Sequence, residues 1–312
     1  MTTELTTEVA IELEEVAAGL RFPEGPVAMA DGSVIVVEIA AGRVSRVAPD
    51  GTTLVVAETG GGPNGAAIGP DGALYVCNNG GFEWHDGPGG GLIPGDQPAD
   101  YTGGSIQRID LGTGAVETVY THCGDVPLNG PNDLVFDATG GFWFTDLGKS
   151  RGRDKDRGCV YYAQPDGSSI TEMIQPLESP NGIGLSPDGT TLHVADTVPG
   201  RVWSWTVTGP GRLADPSPRS GHCLVGLPGH QMLDSLAIDA AGNVCVATIV
   251  NGGITIVAPD GTTRHVPTGD PVTTNICFGG PDHRTAWITL SYTGRLVKAT
   301  WPEPGLPLAF GA

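Results

Sequence analysis

The apolar residues of this chain follow a pattern that repeats six times. Each copy has Glu, Asn or Asp at its second position, continues into a short apolar strand, passes through a turn and ends in a second apolar strand. The copies read PEGPVAMADGSVIVVE, PNGAAIGPDGALYVCN, PNDLVFDATGGFWFTD, PNGIGLSPDGTTLHVAD, LDSLAIDAAGNVCVAT and TNICFGGPDHRTAWIT. An alternating strand follows each copy and begins with Gly42, Gly104, Gly158, Gly200, Gly252 or Gly294. Six copies of three or four short strands are typical of a six-bladed β-propeller.

Composition supports an all-β fold built on many turns. The chain has 49 glycines and 26 prolines in 312 residues, and both are poor residues for helix interiors. Disordered chains combine few apolar residues with high charge, whereas this chain is 39% hydrophobic and 16% charged. Asp-Gly pairs predict tight turns between strands. A β-sandwich with the same turn spacing is the alternative to the propeller.

The ends and the gaps of the repeat predict how the domain is arranged. The last copy has three strands, and the segment VAIELEEVAAGL at residues 9–20 precedes the first copy. We expect this segment to pair with the last blade and close the ring, so that residues 1–312 form one domain. The long Gly- and Pro-rich segment 81–102 is predicted to cover one end of the channel, or else to be a surface insertion. Segment 148–158 is interpreted as a charged, solvated loop.

Charge, hydropathy and cysteine content indicate the kind of partner and the compartment of the protein. The net charge of −19 disfavours nucleic acid. No apolar run approaches the ~18 residues of a membrane span, and the first residues do not resemble a signal peptide. We therefore expect a cytoplasmic protein, a monomer or small homo-oligomer, that acts on a small molecule. Several of the six cysteines sit in apolar strand-like runs, and we interpret them as buried thiols, with disulfides as the alternative.

Alignment of the six copies places oxygen-bearing side chains at one equivalent position. These residues are Glu24, Asn64, Asn132, Asn181, Asp234 and Asn275. First strands line a propeller channel, so the six side chains should form a ring at one depth. A buried carboxylate is unfavourable unless it is paired or binds a metal, and the ring contains no Lys or Arg. Turn formation at the strand starts would explain single asparagines, but not Glu24 or the shared register.

The ring chemistry predicts a hard divalent cation. Carboxylate and amide oxygens suit Ca²⁺ or Mg²⁺, and the lack of Cys and His disfavours structural zinc. Such a cation polarises a carbonyl or phosphoryl oxygen and acidifies water. A neighbouring carboxylate then accepts the proton of that water. Asp234 would serve best as this base if only one of its oxygens bound the metal.

These residues resemble the SMP-30/gluconolactonase/luciferin-regenerating-enzyme family over nearly the whole chain. The motifs are FPEGP at 22–26, GPNG at 62–65, GPNDLVFD at 130–137, SPNGIGLSPDG at 179–189 and LDSLAID at 233–239. The resemblance implies a six-bladed propeller with one catalytic divalent cation, held by Glu24, Asn181 and Asp234. It implies that Asp234 is the base or nucleophile and that Asn132 contacts substrate or the outer shell of the metal. Asn64 lies in the ring with a less constant role.

One position departs from the family pattern. Animal gluconolactonase-type members carry an arginine immediately before the Asn-Asp of the third copy, where this chain has Pro131. We therefore expect substrate contacts from Trp84 and His230, with Phe82 and His85 as further candidates. Asp146 and Asp196, at the ends of second strands, are predicted to bond the backbone there.

The resulting prediction is a divalent-metal-dependent hydrolase that opens a lactone. Ca²⁺ is the expected cation, with Zn²⁺, Mn²⁺ and Mg²⁺ as alternatives. Phosphotriester hydrolysis, as in the similar diisopropylfluorophosphatase-type propellers, is the second enzymatic alternative. A non-enzymatic calcium-binding propeller is the third. Fold alone does not distinguish these functions.

Overall fold

The computed structural model describes residues 7–311, which form six antiparallel blades arranged around a channel. Strands are counted outward from the channel as inner, second, third and outer. The first three blades comprise, in that order, Pro23–Ala28, Val34–Glu38, Arg43–Val47 and Thr53–Glu58; Pro63–Ile68, Leu74–Asn78, Ser105–Ile109 and Val116–Tyr120; Pro131–Phe136, Phe142–Asp146, Gly158–Ala163 and Ile170–Leu177. The predicted all-β propeller is confirmed.

The other three blades include a strand from the start of the chain. They comprise Pro180–Leu185, Thr191–Asp196, Arg201–Gly209 and His222–Gly226; Met232–Ile238, Val244–Ile249, Gly253–Val257 and Thr263–Pro267; Thr273–Gly279, Thr285–Leu290, Arg295–Thr300 and Glu14–Ala18. Short elements outside this pattern are the strands Thr7–Glu8, Trp84–Asp86, Leu92–Pro94, His122–Cys123, Val126–Pro127, Ser150–Arg151, Asp154–Lys155 and Arg212–Leu213, and the 3₁₀ turns Ile39–Ala41, Pro88–Gly90 and Pro218–Ser220.

The ring closes where the sequence predicted it. Glu14–Ala18 pairs antiparallel with Arg295–Thr300 and becomes the outer strand of blade 6. Thr7–Glu8 pairs in parallel with the outer strand of blade 5. The sequence did not predict this pairing. Each inner strand contacts the inner strand of the next blade, including blade 6 against blade 1. The N-terminal segment thus gives the last blade its fourth strand and pairs the otherwise open edge of Arg295–Thr300.

The hydrophobic core lies between neighbouring blades rather than at one centre. Each of the six interfaces between blades holds its own cluster of buried apolar side chains. Between blades 2 and 3, the rings of Tyr75 and Phe136 meet edge to face at 5.3 Å, and Phe144 stacks on Tyr161 at 5.0 Å. This packing of sheet against sheet leaves the channel for other groups.

The inner strands depart from regular pairing beside the predicted ring. Pairing with the second strand is interrupted between Glu24 and Val27 in blade 1 and between Pro180 and Ile183 in blade 4, and all six blades show such a break. Bulges re-aim side chains and are frequent near active sites. Gly25 has a φ of +50°, and a Cβ at this position would meet the Asn64 carbonyl oxygen at 2.4 Å. Glycine is therefore required for the close approach of blades 1 and 2.

The interpretation of the cysteines as buried thiols holds for three of the six. All six cysteines are free, and Cys77, Cys159 and Cys245 are buried as predicted. Cys123 and Cys277 are half-buried, and Cys223 is exposed on the outer strand of blade 4. Among the described residues, no helix has the length and apolar character needed to cross a membrane.

Candidate active site

The predicted ring residues occupy equivalent places at the start of the inner strands. Glu24, Asn64, Asn132, Asn181 and Asn275 are each 2–5% exposed. Asp234 is half-buried. The side chains come from six separate blades, and their common depth follows from the repeated register break.

Four of the six ring side chains form two directly bonded pairs. The Asn275 amide donates to Glu24 Oε2 at 2.7 Å. A side-chain hydrogen bond joins Asn181 and Asp234, and the Ser235 hydroxyl donates to Asn181 Oδ1 at 3.4 Å. The negative charge of Asp234 also acts on Glu24, which places the two pairs in electrostatic contact. Asn64 and Asn132 lie at the same level, outside these two pairs.

A third carboxyl group, which the sequence prediction missed, lies beside the ring. Asp133 is 6% exposed, accepts from its neighbouring Leu134 N–H at 2.9 Å and bonds the Ser235 side chain. Its charge acts on both Glu24 and Asp234. The signal for it was present in the repeat. Blades 1, 2 and 4 have glycine immediately after the ring residue, and blade 3 has Asp133.

Burial dominates the electrostatics of these three carboxyl groups. It raises the pKa of Asp133 to about 7, and it also raises that of Asp234 to about 7. The pKa of Glu24 lies well above its usual range because of burial and then the charge of Asp234. Without a counter-cation, ionisation of this group of acids is therefore unfavourable.

Two orphaned oxygens leave the ring able to bind a cation or a hydroxyl group of a ligand. Glu24 Oε1 and Asn132 Oδ1 are buried and have no hydrogen-bond partner within residues 7–311. Buried polar atoms are nearly always satisfied by protein, water or an ion. Over the same residues, no three Asp, Glu, His or Cys side chains stand together in a metal-ligating arrangement. A cation bound at this ring would therefore need amide oxygens as well as carboxylates, which is a donor set that Ca²⁺ accepts.

The lining of the channel changes from polar to largely apolar beyond the ring. A cavity of about 340 Å³ continues toward the opposite end and is bordered by Asp133 and Asn275. Its walls are largely apolar, and residues 306–310 form part of its lining. The Leu306 N–H donates to the Ile238 carbonyl oxygen at 2.9 Å, which fixes this segment against blade 5.

The 81–102 segment lies at the ring end of the channel. It follows Asn78, which pairs with Pro63, the residue before Asn64. Its strands Trp84–Asp86 and Leu92–Pro94 form a hairpin. The Leu92 N–H donates to the Tyr292 carbonyl oxygen of blade 6 at 3.2 Å.

The other side of this segment contacts blade 3. The Gln97 N–H donates to the Ser150 carbonyl oxygen at 2.8 Å, and the Tyr101 hydroxyl donates to the Asn129 carbonyl oxygen at 2.6 Å. Ordered contacts therefore connect the segment with blades 6 and 3.

The predicted substrate contacts differ in their surroundings. Trp84 is half-buried, and its ring lies 5.0 Å from that of Phe22, two residues before Glu24. His230 is exposed on the connection before the inner strand of blade 5, and His85 is exposed on the hairpin. The structure thus places Trp84 against the ring end of blade 1 and leaves both histidines on the surface.

The carboxylates of Asp146 and Asp196 accept hydrogen bonds from the backbone, as predicted. The Asp146 carboxylate accepts from the N–H groups of Asn129, Gly130 and Gly148 at 2.7–2.9 Å. The Asp196 carboxylate accepts from the Ser179 N–H at 2.7 Å. These bonds fix the chain just before Asn132 and Asn181.

Fold and ring together define a six-bladed propeller whose channel is lined at one end by acids and amides. A sequence profile described as the SMP-30/Gluconolactonase/LRE-like region matches residues 22–292, so the chain belongs to this family. It is 26% identical to a gluconolactonase of Zymomonas mobilis, over 87% of this chain and 77% of that protein. It is 31% identical to lactonase drp35 of Staphylococcus aureus over 72% of this chain, and the match spans 63% of that protein's length.

Solved structures agree on the fold. A gluconolactonase from Xanthomonas campestris superposes with a TM-score of 0.73 at 23% identity, covering 94% of this chain and 90% of that one. A calcium-binding protein, regucalcin, from Agrobacterium tumefaciens gives 0.74 at 19% identity, covering 97% and 100%. At these identities the likeness establishes the propeller, and the chemistry must be argued from the ring.

Proposed function

We propose that this protein is a lactone hydrolase that depends on one divalent cation, with Ca²⁺ as the expected ion. The observation that carries the proposal is the buried Glu24 carboxyl group. One of its oxygens has no partner within residues 7–311, and the charges of Asp234 and Asp133 act on it. The names of the related gluconolactonase and lactonase proteins support the substrate class.

Glu24, Asn181 and Asp234 would hold the cation. The two carboxylates would balance its charge, and Asn181 would contribute a neutral oxygen. When bound, the cation would polarise the ester carbonyl and lower the pKa of water.

The protein's own residues would perform the remaining steps. Asp234, bonded to Asn181 and partly exposed, would accept a proton from the attacking water and return it to the ring oxygen as the acyl C–O bond of the lactone breaks. Asn132, whose Oδ1 is unsatisfied within the described residues, would accept a hydrogen bond from a hydroxyl group of the lactone and so orient it, with Asn64 beside it. The 81–102 segment, through Trp84, would cover the bound substrate and limit access of bulk water. His230 is exposed and would contact only a substrate that extends from the channel.

A lactone panel followed by acid release tests the proposal. The protein is stripped of metal with a chelator, and Ca²⁺, Mn²⁺, Zn²⁺ and Mg²⁺ are then added singly. We expect turnover of at least one lactone to be lost on chelation and restored most strongly by Ca²⁺. Turnover that survives full chelation contradicts metal dependence. Organophosphate hydrolysis without lactone turnover favours the phosphotriester alternative, and calcium binding without turnover on either panel favours a binding protein.

A further inference from the structure

Lys149 lies in an unusual environment for a lysine. The sequence placed it in a solvated charged loop, but it is only 1% exposed. Its Nζ donates to the Gly81 carbonyl oxygen at 2.5 Å and to Asn79 Oδ1 at 3.3 Å. Both acceptors lie where the 81–102 segment leaves blade 2, whereas Lys149 belongs to blade 3. The lysine therefore bridges the base of this segment to the neighbouring blade.

The same ammonium group contacts both ends of the segment. It lies 4.1 Å from the centre of the Phe82 ring and 5.5 Å from that of Tyr101. Cation–π attraction is significant at such distances when the cation is desolvated. Phe82 is near the start of the segment and Tyr101 near its end, so one side chain holds the two ends together.

A chain of aromatic contacts leads from Lys149 toward Glu24. Phe82 meets Trp84 edge to face at 6.0 Å, and Trp84 packs on Phe22 at 5.0 Å. Phe22 has a φ of +57°, which is unfavourable for a bulky residue and persists only when its surroundings hold it. It is followed by Pro23 and then by Glu24. Contacts that hold the Phe22 backbone therefore also set the direction in which the Glu24 strand begins.

The charges around Lys149 support a specific role. Asp146 and Asp156 favour its charged form, and burial opposes it, lowering the pKa of Lys149 to about 7. Asp156 is also bonded by Arg151 at 2.5 Å and by the backbone N–H of Lys149 at 3.1 Å. A buried ammonium group is unfavourable unless hydrogen bonds or opposite charge compensate it, and an apolar side chain of similar size often replaces buried ionic groups without loss of stability. Stability alone therefore does not account for the position of this lysine.

We propose that Lys149 is a positioning residue that fastens the 81–102 segment over the ring end of the channel and, through Phe82, Trp84 and Phe22, holds Glu24 in its cation-binding place. The part of this inference that concerns cation binding and turnover rests on the proposed function.

Hydrogen exchange on the Lys149→Met variant tests the inference without any need for activity. Methionine keeps the apolar volume and removes the hydrogen bonds and the charge. We expect peptides from 81–102 and from 21–28 to exchange roughly tenfold faster than in wild type, while blades 4 and 5 stay unchanged. Lys298→Met, which removes a surface lysine paired with Glu14 at 3.0 Å, is the matched control. Unchanged protection of both segments in Lys149→Met overturns the proposal.

Calcium titration and steady-state kinetics provide the second readout. In Lys149→Met we expect the Kd for Ca²⁺ and the KM each to rise roughly tenfold, with kcat changed less. Phe82→Leu, which keeps the lysine but removes the ring between it and Trp84, should loosen residues 21–28 in the same way. If wild type neither binds Ca²⁺ nor opens lactones, the proposed function fails, and the exchange data alone decide whether Lys149 holds the two segments. A loosened 81–102 segment with unchanged 21–28 exchange refutes the link to Glu24.

Discussion

The two ends of the channel are built from the same six inner strands, yet they differ completely in chemistry. In blade 4, the strand begins with Pro180 and Asn181 and ends with Ile183 and Leu185. The ring end therefore carries acids and amides, and the opposite end carries the apolar walls of the 340 Å³ cavity. The change occurs within a few residues, at the register break. A bulge thus allows one short strand to supply polar groups at one depth and packing at the next.

The connections differ in the same way. The ring end carries the long 81–102 segment and the small hairpins of residues 122–127 and 150–155. The opposite end has short turns such as Asp50-Gly51, in which Asp50 accepts from the Thr52 N–H at 3.0 Å. The opposite end also holds the connection 210–221 of blade 4, but the longest connection, 81–102, lies at the ring end, where a loop of this kind is suited to recognise a ligand.

Loss of Asp234 should produce the largest difference in activity between a change at the ring end and a matched change at the opposite end. We expect Asp234→Asn to lower kcat/KM about 10³-fold, because removal of a general base typically costs 10²–10⁴-fold. Asp260→Asn makes the same chemical change in an exposed turn at the opposite end of blade 5 and should leave the rate within twofold. Equal rates in the two variants would remove Asp234 from the mechanism.

Loss of Glu24 should abolish binding of the cation, which can be measured without turnover. Calcium at 100 times its Kd should stabilise the wild-type protein by about 2.7 kcal/mol. This stabilisation, read as a shift in Tm, should disappear in Glu24→Gln. Glu58→Gln, on the exposed outer strand of blade 1, is the control and should keep the full shift. A calcium shift that persists in Glu24→Gln means that the ion binds elsewhere.

A cavity-forming change at the apolar end should lower the stability of the fold and leave calcium binding unchanged. Ile238 is 6% exposed and lines the cavity. We expect Ile238→Ala to lower the free energy of unfolding by about 2 kcal/mol, the low end for buried isoleucine, because space already exists beside it. Chemical denaturation measures the loss, and the Kd for Ca²⁺ should stay within twofold. A large change in calcium affinity would show that the two ends are not independent.

The last effect, similar in size to that of Ile238→Ala, concerns pH and Lys149. In the unfolded chain a lysine titrates near pH 10.4, whereas burial lowers the pKa of Lys149 to about 7 against the charges of Asp146 and Asp156. Between these values the unfolded chain holds one more proton, so this group makes the folded state more stable as pH rises. From pH 7 to 9, wild type should gain about 2 kcal/mol relative to Lys149→Met. Parallel stability curves for the two proteins would contradict a buried, perturbed lysine.

Repetition explains which features could be predicted from the sequence. Six blades, the closing strand within residues 9–20 and the ring position all follow from copies that can be aligned with one another. Asp133 was missed because it stands where three of the other copies have glycine, and only the fold shows that its charge acts on Glu24 and Asp234.

Features that occur once were harder to predict. Lys149 was interpreted as solvated because its neighbours along the chain are charged, yet its partners Gly81 and Phe82 come from another blade. Such contacts between distant segments leave no periodic signal in the sequence.

A crystal structure of the calcium-soaked protein with an anomalous difference map tests the ring directly. We predict one strong peak at the ring end of the channel, with Glu24 Oε1 and oxygens of Asn181 and Asp234 at ~2.3–2.6 Å from the ion. A channel that stays free of anomalous density at saturating Ca²⁺, or a peak that none of these three side chains contacts, would contradict the proposed site.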